Sequence, residues 1–501
     1  MLDSEARLTY GLRRMFSPRF LFCLFLATSL QTAEALPKGA KPTAPPVINL
    51  TLRKAIQLAI ENNLAIKVAE FNPDVASALV TAELGVFDPA LNISASHAVD
   101  NTTTSQEIQT GNFGIGIGGK SIYGTDYQLG LSNIATHYNR YSTGAQFSLT
   151  QPFLRGFGSD VNLASLRIAR NNRQISEWEF KQGIIDVITQ TVWVYNELYS
   201  ALRNYEAAKH SRDLALELCK EEQARAEIGV KIQLDVVTAQ SEAASREEAV
   251  LLAKNNIENN ERLLKQLVTS DTKTLLEAPV NIQPPPTAAI GKMDVEAGLR
   301  DALAKRPDYQ EALVALQTRH INVVTARNGA LPRLDLVGSL SLLGLDTNDI
   351  ADSLRFLNTG TRNPAGLSVG AIFSMPFPNR SGKGRVKAAR LLDAQALVTL
   401  KQLEQTIIVD VANAAGEVDT AHQRIDSTKE ALRLAKDSLA AGEERHKWGS
   451  ATTFEVLQLQ KAMTEAEAAL IRAEADYRKA LSEYDRQTGT TLLRNAITVT
   501  P

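Results

Sequence analysis

The sequence predicts a mainly α-helical, duplicated fold with a transmembrane β segment in each copy. Three observations predict it. A segment around Gly229 recurs around Gly449, both glycines separate very long helical patterns, and alternating strand-like runs precede the helices in each copy. An internal repeat decides architecture before any local reading does.

The first copy reads Arg225-Ala-Glu-Ile-Gly229-Val-Lys-Ile-Gln-Leu234-Asp235-Val236, and the second reads Arg445-His-Lys-Trp-Gly449-Ser-Ala-Thr-Thr-Phe454-Glu455-Val456. The offset is 449 − 229 = 220 residues. Upstream the offset changes. Ala59 matches Ala302, Pro89 matches Pro332 and Ile93 matches Leu336 at 243 residues, whereas Pro152-Phe153 matches Pro376-Phe377 at 224. The first copy therefore holds 243 − 224 = 19 extra residues between its first strand and that Pro-Phe. This is the length of about one β-hairpin.

Arg13, Arg14 and Arg19 precede an apolar run from Phe20 to Ala27, and Ala33-Glu34-Ala35 follows. Basic residues, a short apolar run and an Ala-x-Ala site predict a signal peptide over 1–35, with translation starting at Met1 or Met15. Residues 36–50 read as a Pro/Lys/Ala linker. The first repeat then spans 51–290, the second spans 291–490, and 491–501 form a tail. If the leader is removed, Cys219 is the only cysteine. No run of 18 apolar residues follows the leader, so no hydrophobic transmembrane helix is expected. An exported chain can still span a membrane as a β-barrel.

Residues 51–84 carry a helical period, which Pro73 is expected to kink or break. Strand alternation follows at Leu91/Ile93/Ala95, at Phe113/Ile115/Ile117, at Tyr127/Leu129/Leu131 and at Ala145/Phe147/Leu149. The second copy has two such runs, one through Leu334, Leu336, Leu340 and Leu342 and one through Leu367, Val369, Ala371 and Phe373. Alternating strands of about ten residues are the transmembrane β signature, although alternation alone fits a soluble periplasmic sheet with one wet face equally well; the leader and the surrounding long helices favour the membrane. On that reading Leu91, Ile93, Phe147, Leu149, Leu336, Val369 and Phe373 face lipid, while Asn92, Ser148 and Ser368 face a lumen. Long helices are expected over about 161–226, with Asp160 as cap, then 232–268, 385–447 and 453–487. The outbound pair would be roughly 95–100 Å long at 1.5 Å per residue. The segment 269–292, rich in proline, reads as an irregular connection packed outside the helical body.

Net charge is −2 and aromatics are 6%, so no global field points to nucleic acid. The six histidines are scattered without metal-ligand spacing. Gly114-Ile-Gly116-Ile-Gly118-Gly119 alternates as a strand and opens no helix, which is the wrong context for a dinucleotide loop. No catalytic set, metal or cofactor is expected.

These elements together resemble the TolC-like outer-membrane efflux protein family over about residues 50–490. The two glycine turns, Gln151-Pro-Phe-Leu-Arg-Gly156-Phe-Gly158 and the terminal Tyr477-to-Gly489 stretch carry the resemblance. It implies a homotrimer that exports cargo through a trimeric α-barrel tunnel and a shared outer-membrane β-barrel. It also implies two partners, a periplasmic adaptor and an inner-membrane pump that supplies energy. The glycine turns would form the periplasmic tip, with Arg225, Gly229, Arg445 and Gly449 at the docking end. Glu455 and Gln458 would line the tip constriction, and Asp235 is the first-copy equivalent of Glu455. The family pattern supplies four strands per chain. The extra pair near 112–134 is therefore expected outside the membrane, leaving a twelve-stranded barrel. The competing reading is a periplasmic coiled-coil adaptor or scaffold, although such a protein normally carries one hairpin rather than two related ones.

Overall fold

The computed structural model describes residues 48–100, 108–136, 140–229, 232–271, 273, 280–286, 293–346 and 365–498. The leader, the linker up to residue 47 and the polar loop over 347–364 lie outside the described residues.

The first copy begins with β1 (Ile48–Leu50), α1 (Leu52–Asn62) and α2 (Leu64–Leu84). The helix is not broken at Pro73, which sits inside α2. The break falls at Asn63, whose extended backbone ends α1 and whose side chain accepts from the Ala65 amide at 2.9 Å. A side-chain cap satisfies the new helix start, so the chain turns where a cap is available. The second copy repeats this break 243 residues later. There α6 (Val295–Lys305) ends at Arg306 and α7 (Pro307–Gly329) starts with proline in its first turn. Both break residues reach the end of their own return helix. Asn63 Nδ2 donates to the Leu267 carbonyl at 3.2 Å, and Arg306 Nη1 donates to Gln487 Oε1 at 2.8 Å.

Strands β2 (Ala90–Asp100), β3 (Ile108–Lys120), β4 (Asp126–Thr136) and β5 (Arg140–Pro152) follow in the first copy. The second copy gives β7 (Arg333–Asp346) and β8 (Ala365–Ser374). They form one antiparallel sheet in the order β2-β3-β4-β5-β7-β8. The extra hairpin is therefore not set apart from the other strands. It is the β3–β4 pair, inserted between β2 and β5, because its apolar alternation matches the faces of both neighbours.

The long helices are α4 (Ala164–Glu227) and α5 (Gln233–Val268) in copy one, and α8 (Arg380–Lys447) and α9 (Thr453–Gln487) in copy two. The short helix α3 (Ser159–Asn162) precedes α4 with Gly158 at its cap position. Asp160 is thus not a cap; it lies in the first turn of α3 and pairs with Arg167 at 3.0 Å.

Two boundary expectations are corrected. The linker's last residues belong to the core, since β1 pairs in parallel with β6 (Val280–Ile282) and Leu50 is fully buried. The connection between the copies is therefore anchored at Val280–Ile282, and its residues 272, 274–279 and 287–292 lie outside the described residues. Tyr195 Oη donates to the carbonyls of Leu50 and Gln283 at 3.0 and 2.7 Å, which pins this ribbon to α4. The tail also starts in the fold, as α10 (Thr491–Arg494) with Arg494 paired to Asp485 at 2.9 Å. Around the ribbon, Ile184, Ile188, Leu198 and Leu264 form the first core; Val411, Val418, Tyr477 and Tyr484 form the second. Leu218, Leu439, Val456 and Met463 join the two copies near the turns.

Candidate functional site

The site has two ends, the hairpin tips and the sheet. Each outbound helix ends in a glycine with left-handed backbone, Gly229 at φ +80° and Gly449 at φ +73°. A Cβ is strained in that conformation, which is why glycine closes both helices. The Gly229 amide donates to the Ala226 carbonyl and the Gly449 amide to the His446 carbonyl, each at 3.0 Å.

The two tips are tied to each other. Glu222 on α4 is fully buried. Its Oε1 lies 2.8 Å from His446 Nε2 on α8, and its Oε2 accepts from the Thr453 hydroxyl on α9 at 3.0 Å. His446 Nδ1 donates to the Ala451 carbonyl at 3.0 Å, while its Nε2 lies between the Glu222 carboxylate and the Arg225 donor. Arg225 Nη1 stands 3.1 Å from His446 Nε2 and 3.7 Å from Glu222 Oε1. Arg225 therefore serves the junction between copies. A buried carboxylate needs such partners to remain in the interior.

A second tie lies deeper in the bundle. Arg246 on α5 is buried and donates to the Ser211 carbonyl of α4, Gln460 Oε1 and the Leu457 carbonyl of α9, at 3.1, 3.1 and 3.2 Å. Its Nε also donates to Glu242 at 3.1 Å. One guanidinium thus spans three helices, a use its planar fork favours.

At the second turn Arg445 donates to Glu455 Oε1 at 3.0 Å and to the Ser450 carbonyl at 3.1 Å. Glu455 sits in the first turn of α9, where its amide donates to the Thr452 side-chain cap. Gln458 is exposed and lines a groove towards α5 with Thr238, Glu242 and Lys461. The two pore candidates therefore serve different neighbours, Glu455 turning back to α8 and Gln458 facing α5. Asp235 is half-buried in the first turn of α5. Beyond these polar groups the tips expose Ile228, Ile232, Leu234, Trp448 and Phe454.

At the other end the register places every lipid-face candidate on one side of the sheet. One row reads Leu91, Ile117, Leu129, Phe147, Leu340, Leu367 across all six strands. Ile93, Leu149, Leu336, Val369 and Phe373 share that face. The adjacent row on the opposite face reads Asn92, Gly116, Gly130, Gln146, Ser341, Gly366, and Ser148 and Ser368 lie beside it. Where the sheet meets the helices, Tyr123, Phe153, Phe157 and Phe377 are exposed, and the Phe153 and Phe157 rings stack at 6.5 Å.

Both copies match one known family. The outer membrane efflux protein family profile matches residues 55–270 and 298–490. The chain belongs to the outer membrane efflux protein family. It is 22% identical over 345 residues to the outer membrane efflux protein BepC of Brucella suis, covering 68% of this chain and 71% of that protein. It is also 22% identical over 370 residues to the outer membrane protein TolC of Escherichia coli K12, covering 70% and 72%. Among solved structures it resembles the CmeC outer membrane channel of Campylobacter jejuni. The TM-score is 0.69 at 20% identity, with 88% of this chain and 86% of that chain covered. The chain is thus an outer-membrane protein of the TolC-like efflux type that extends into the periplasm. The adaptor or scaffold reading has no support among these relatives.

The buried ties at the tips were not legible beforehand. In the sequence His446 is one of six scattered histidines, and no local pattern marks Glu222 or Arg246. The repeat hides them: at an offset of 220, Glu222 corresponds to Gly442, His446 to Ala226 and Arg246 to Ala466.

Proposed function

We propose that three copies of this chain form a channel-tunnel exporting cargo across the periplasm and outer membrane. An inner-membrane pump drives it through a periplasmic adaptor. One observation carries the trimer: the faces left open on one chain are those that its own repeat fills internally. Helix α7 packs between α4 of copy one and α8 of copy two. Its first-copy equivalent α2 makes its main contact with α4 and leaves Leu64, Val68, Phe71, Val75 and Leu79 more than half exposed. That helically spaced stripe needs an apolar partner. By the repeat, the partner is α8 of a neighbouring chain, which exposes Leu391, Leu392, Leu397 and Val398.

The sheet follows the same logic. β5 of copy one pairs with β7 of copy two, and the free edges β8 and β2 are their counterparts. Head-to-tail contacts of this kind close into a ring. Edge pairing around such a ring removes every unpaired backbone group, which a bilayer demands. Leu91, Ile93, Phe147, Leu149, Leu336, Val369 and Phe373 then meet lipid.

At the tips, Gly229 and Gly449 set the turns, Arg225 and Arg445 brace them, and the exposed Ile228, Leu234, Trp448 and Phe454 dock the adaptor. Glu455, with Gln458 and Asp235, borders the constriction where the hairpins converge. Cargo choice rests with the pump. Fractionation tests the reading. The unheated protein is expected in the outer membrane as a detergent-resistant trimer that collapses to monomer on heating. A soluble periplasmic monomer would overturn it.

A further inference from the structure

We infer that the β3–β4 hairpin is part of the barrel wall, so that three copies close an eighteen-stranded barrel rather than a twelve-stranded one. The inference rests on the trimeric channel reading and adds the number of strands, six from each of three chains.

The second copy shows what the first would be without its insertion. Asp335 pairs with Ile372 across β7 and β8. The offsets of 243 and 224 carry these residues to Asn92 and Ser148. Without the hairpin, Asn92 would face Ser148 directly. Instead Asn92 faces Gly116 and Ser148 faces Gln128, each through an eleven-pair ladder.

Three features make the hairpin wall rather than appendage. First, its apolar face is continuous with its neighbours: Phe113, Ile115, Ile117, Leu129 and Leu131 share the side of Leu91 and Phe147. A hairpin in water would expose that stripe without return. Second, its opposite face is Gly114, Gly116, Gly118, Gln128, Gly130 and Ser132, like the rest of the luminal face. Third, its turn docks at the helix end of the sheet. The Gly158 amide donates to the Tyr123 carbonyl at 3.2 Å. Gly124, at φ +91°, lies so close to the Gly156 carbonyl that a Cβ would come within 2.2 Å. Short turns on the periplasmic side are the rule for outer-membrane barrels.

Inserting two strands keeps the number per chain even, so β8 can still meet the neighbour's β2 antiparallel. Carrying the β5–β7 register through the repeat places Ser374 opposite Ser94 of the next chain. Pro152 and Asp335 map to Pro376 and Asn92, and two residues inward from this pair the register reaches Ser374 and Ser94. Both serines lie on the glycine- and serine-rich face, as a shared wall requires. At equal tilt, half as many strands again widen a barrel roughly 1.5-fold. The exit is then a broad chamber lined by hydroxyl, amide and glycine groups.

Cysteine pairs in a Cys219→Ser background test this in the purified trimer, with a short bifunctional thiol reagent and mass-spectrometric readout. Gln128→Cys with Ser148→Cys is expected to join within one chain. Asn92→Cys with Ser148→Cys is expected not to, because three strand spacings, about 14 Å, separate those strands. An Asn92–Ser148 product overturns the eighteen-stranded wall and leaves the channel reading standing. Ser94→Cys with Ser374→Cys is expected to join neighbouring chains, and its failure counts against the ring itself. Electron cryomicroscopy of the trimer gives an independent count. Eighteen strands are expected, and twelve would contradict the inference.

Discussion

Arg445 and Glu455 show how a residue's meaning changes once its neighbour is known. The sequence placed both at the second turn but offered separate roles, a helix-end cation and a pore acid. In the fold they are an ion pair 3.0 Å apart with both side chains about half exposed, so water screens much of its strength. In the proposed trimer, three copies of Glu455 around an axis would still draw cations, with Arg445 offsetting part of that charge. Replacing Glu455 with Ala is expected to weaken block of single-channel current by divalent cations. Replacing Arg445 with Ala is expected to strengthen it, and Gln458→Asp should act in the same direction. Unchanged block in all three variants would place the constriction elsewhere. The glycines were legible at this scale because one backbone conformation explains them. The Glu222–His446 contact was not, because its members lie 224 residues apart on helices whose rotation no local pattern fixes.

At the scale of elements, the buried Arg246 fork holds α5 against α4 and α9. Removing it with Arg246→Met leaves the carbonyls it bonds without their donor. The expected loss is on the order of 3 kcal/mol per chain, seen as a lower dissociation temperature of the trimer and a higher open probability in bilayers. An unchanged open probability would show that the fork does not hold the hairpins in a closed arrangement. The packing of α7 on α4 carries a pH dependence. Burial, with Glu179 and Asp308 nearby, pushes Glu311 up to about 7. Its folded value exceeds its ordinary value of 4.5, so the folded chain holds this proton more tightly than the unfolded one. Stability from this group is full below about 4.5, falls as pH rises towards 7, and stays low above. Glu311→Gln should therefore raise the melting temperature at pH 8 and leave it nearly unchanged at pH 4. Helix ends were readable from the glycines and caps, to within a few residues. Pro73 does not end its helix; the break falls at Asn63, whose side chain caps the new start. The 19-residue surplus was legible as a hairpin, but its place in the sheet depended on pairing partners that only the register supplies.

For the whole molecule, duplication carried most of the information. Two copies offset by 220 residues gave two hairpins, and the tie between Glu222 and His446 joins their tips at one end. The repeat also explains what one chain leaves unfinished, the apolar stripe on α2 and the free edges β2 and β8. These need neighbours, which the proposed ring of three chains would supply. The apolar α2 stripe changed to charge, for example Phe71→Glu with Val75→Glu, is expected to yield chains that fold their hairpins yet fail to trimerise, as read by size-exclusion chromatography in detergent. The central claim is that the assembled chain is a pore, and recording from the purified protein in planar lipid bilayers tests it most directly. The account predicts discrete single-channel steps that rise in frequency or size with Arg246→Met. A purified, folded trimer that inserts into the bilayer and passes no current, in the parent and in the Arg246→Met variant alike, would contradict it.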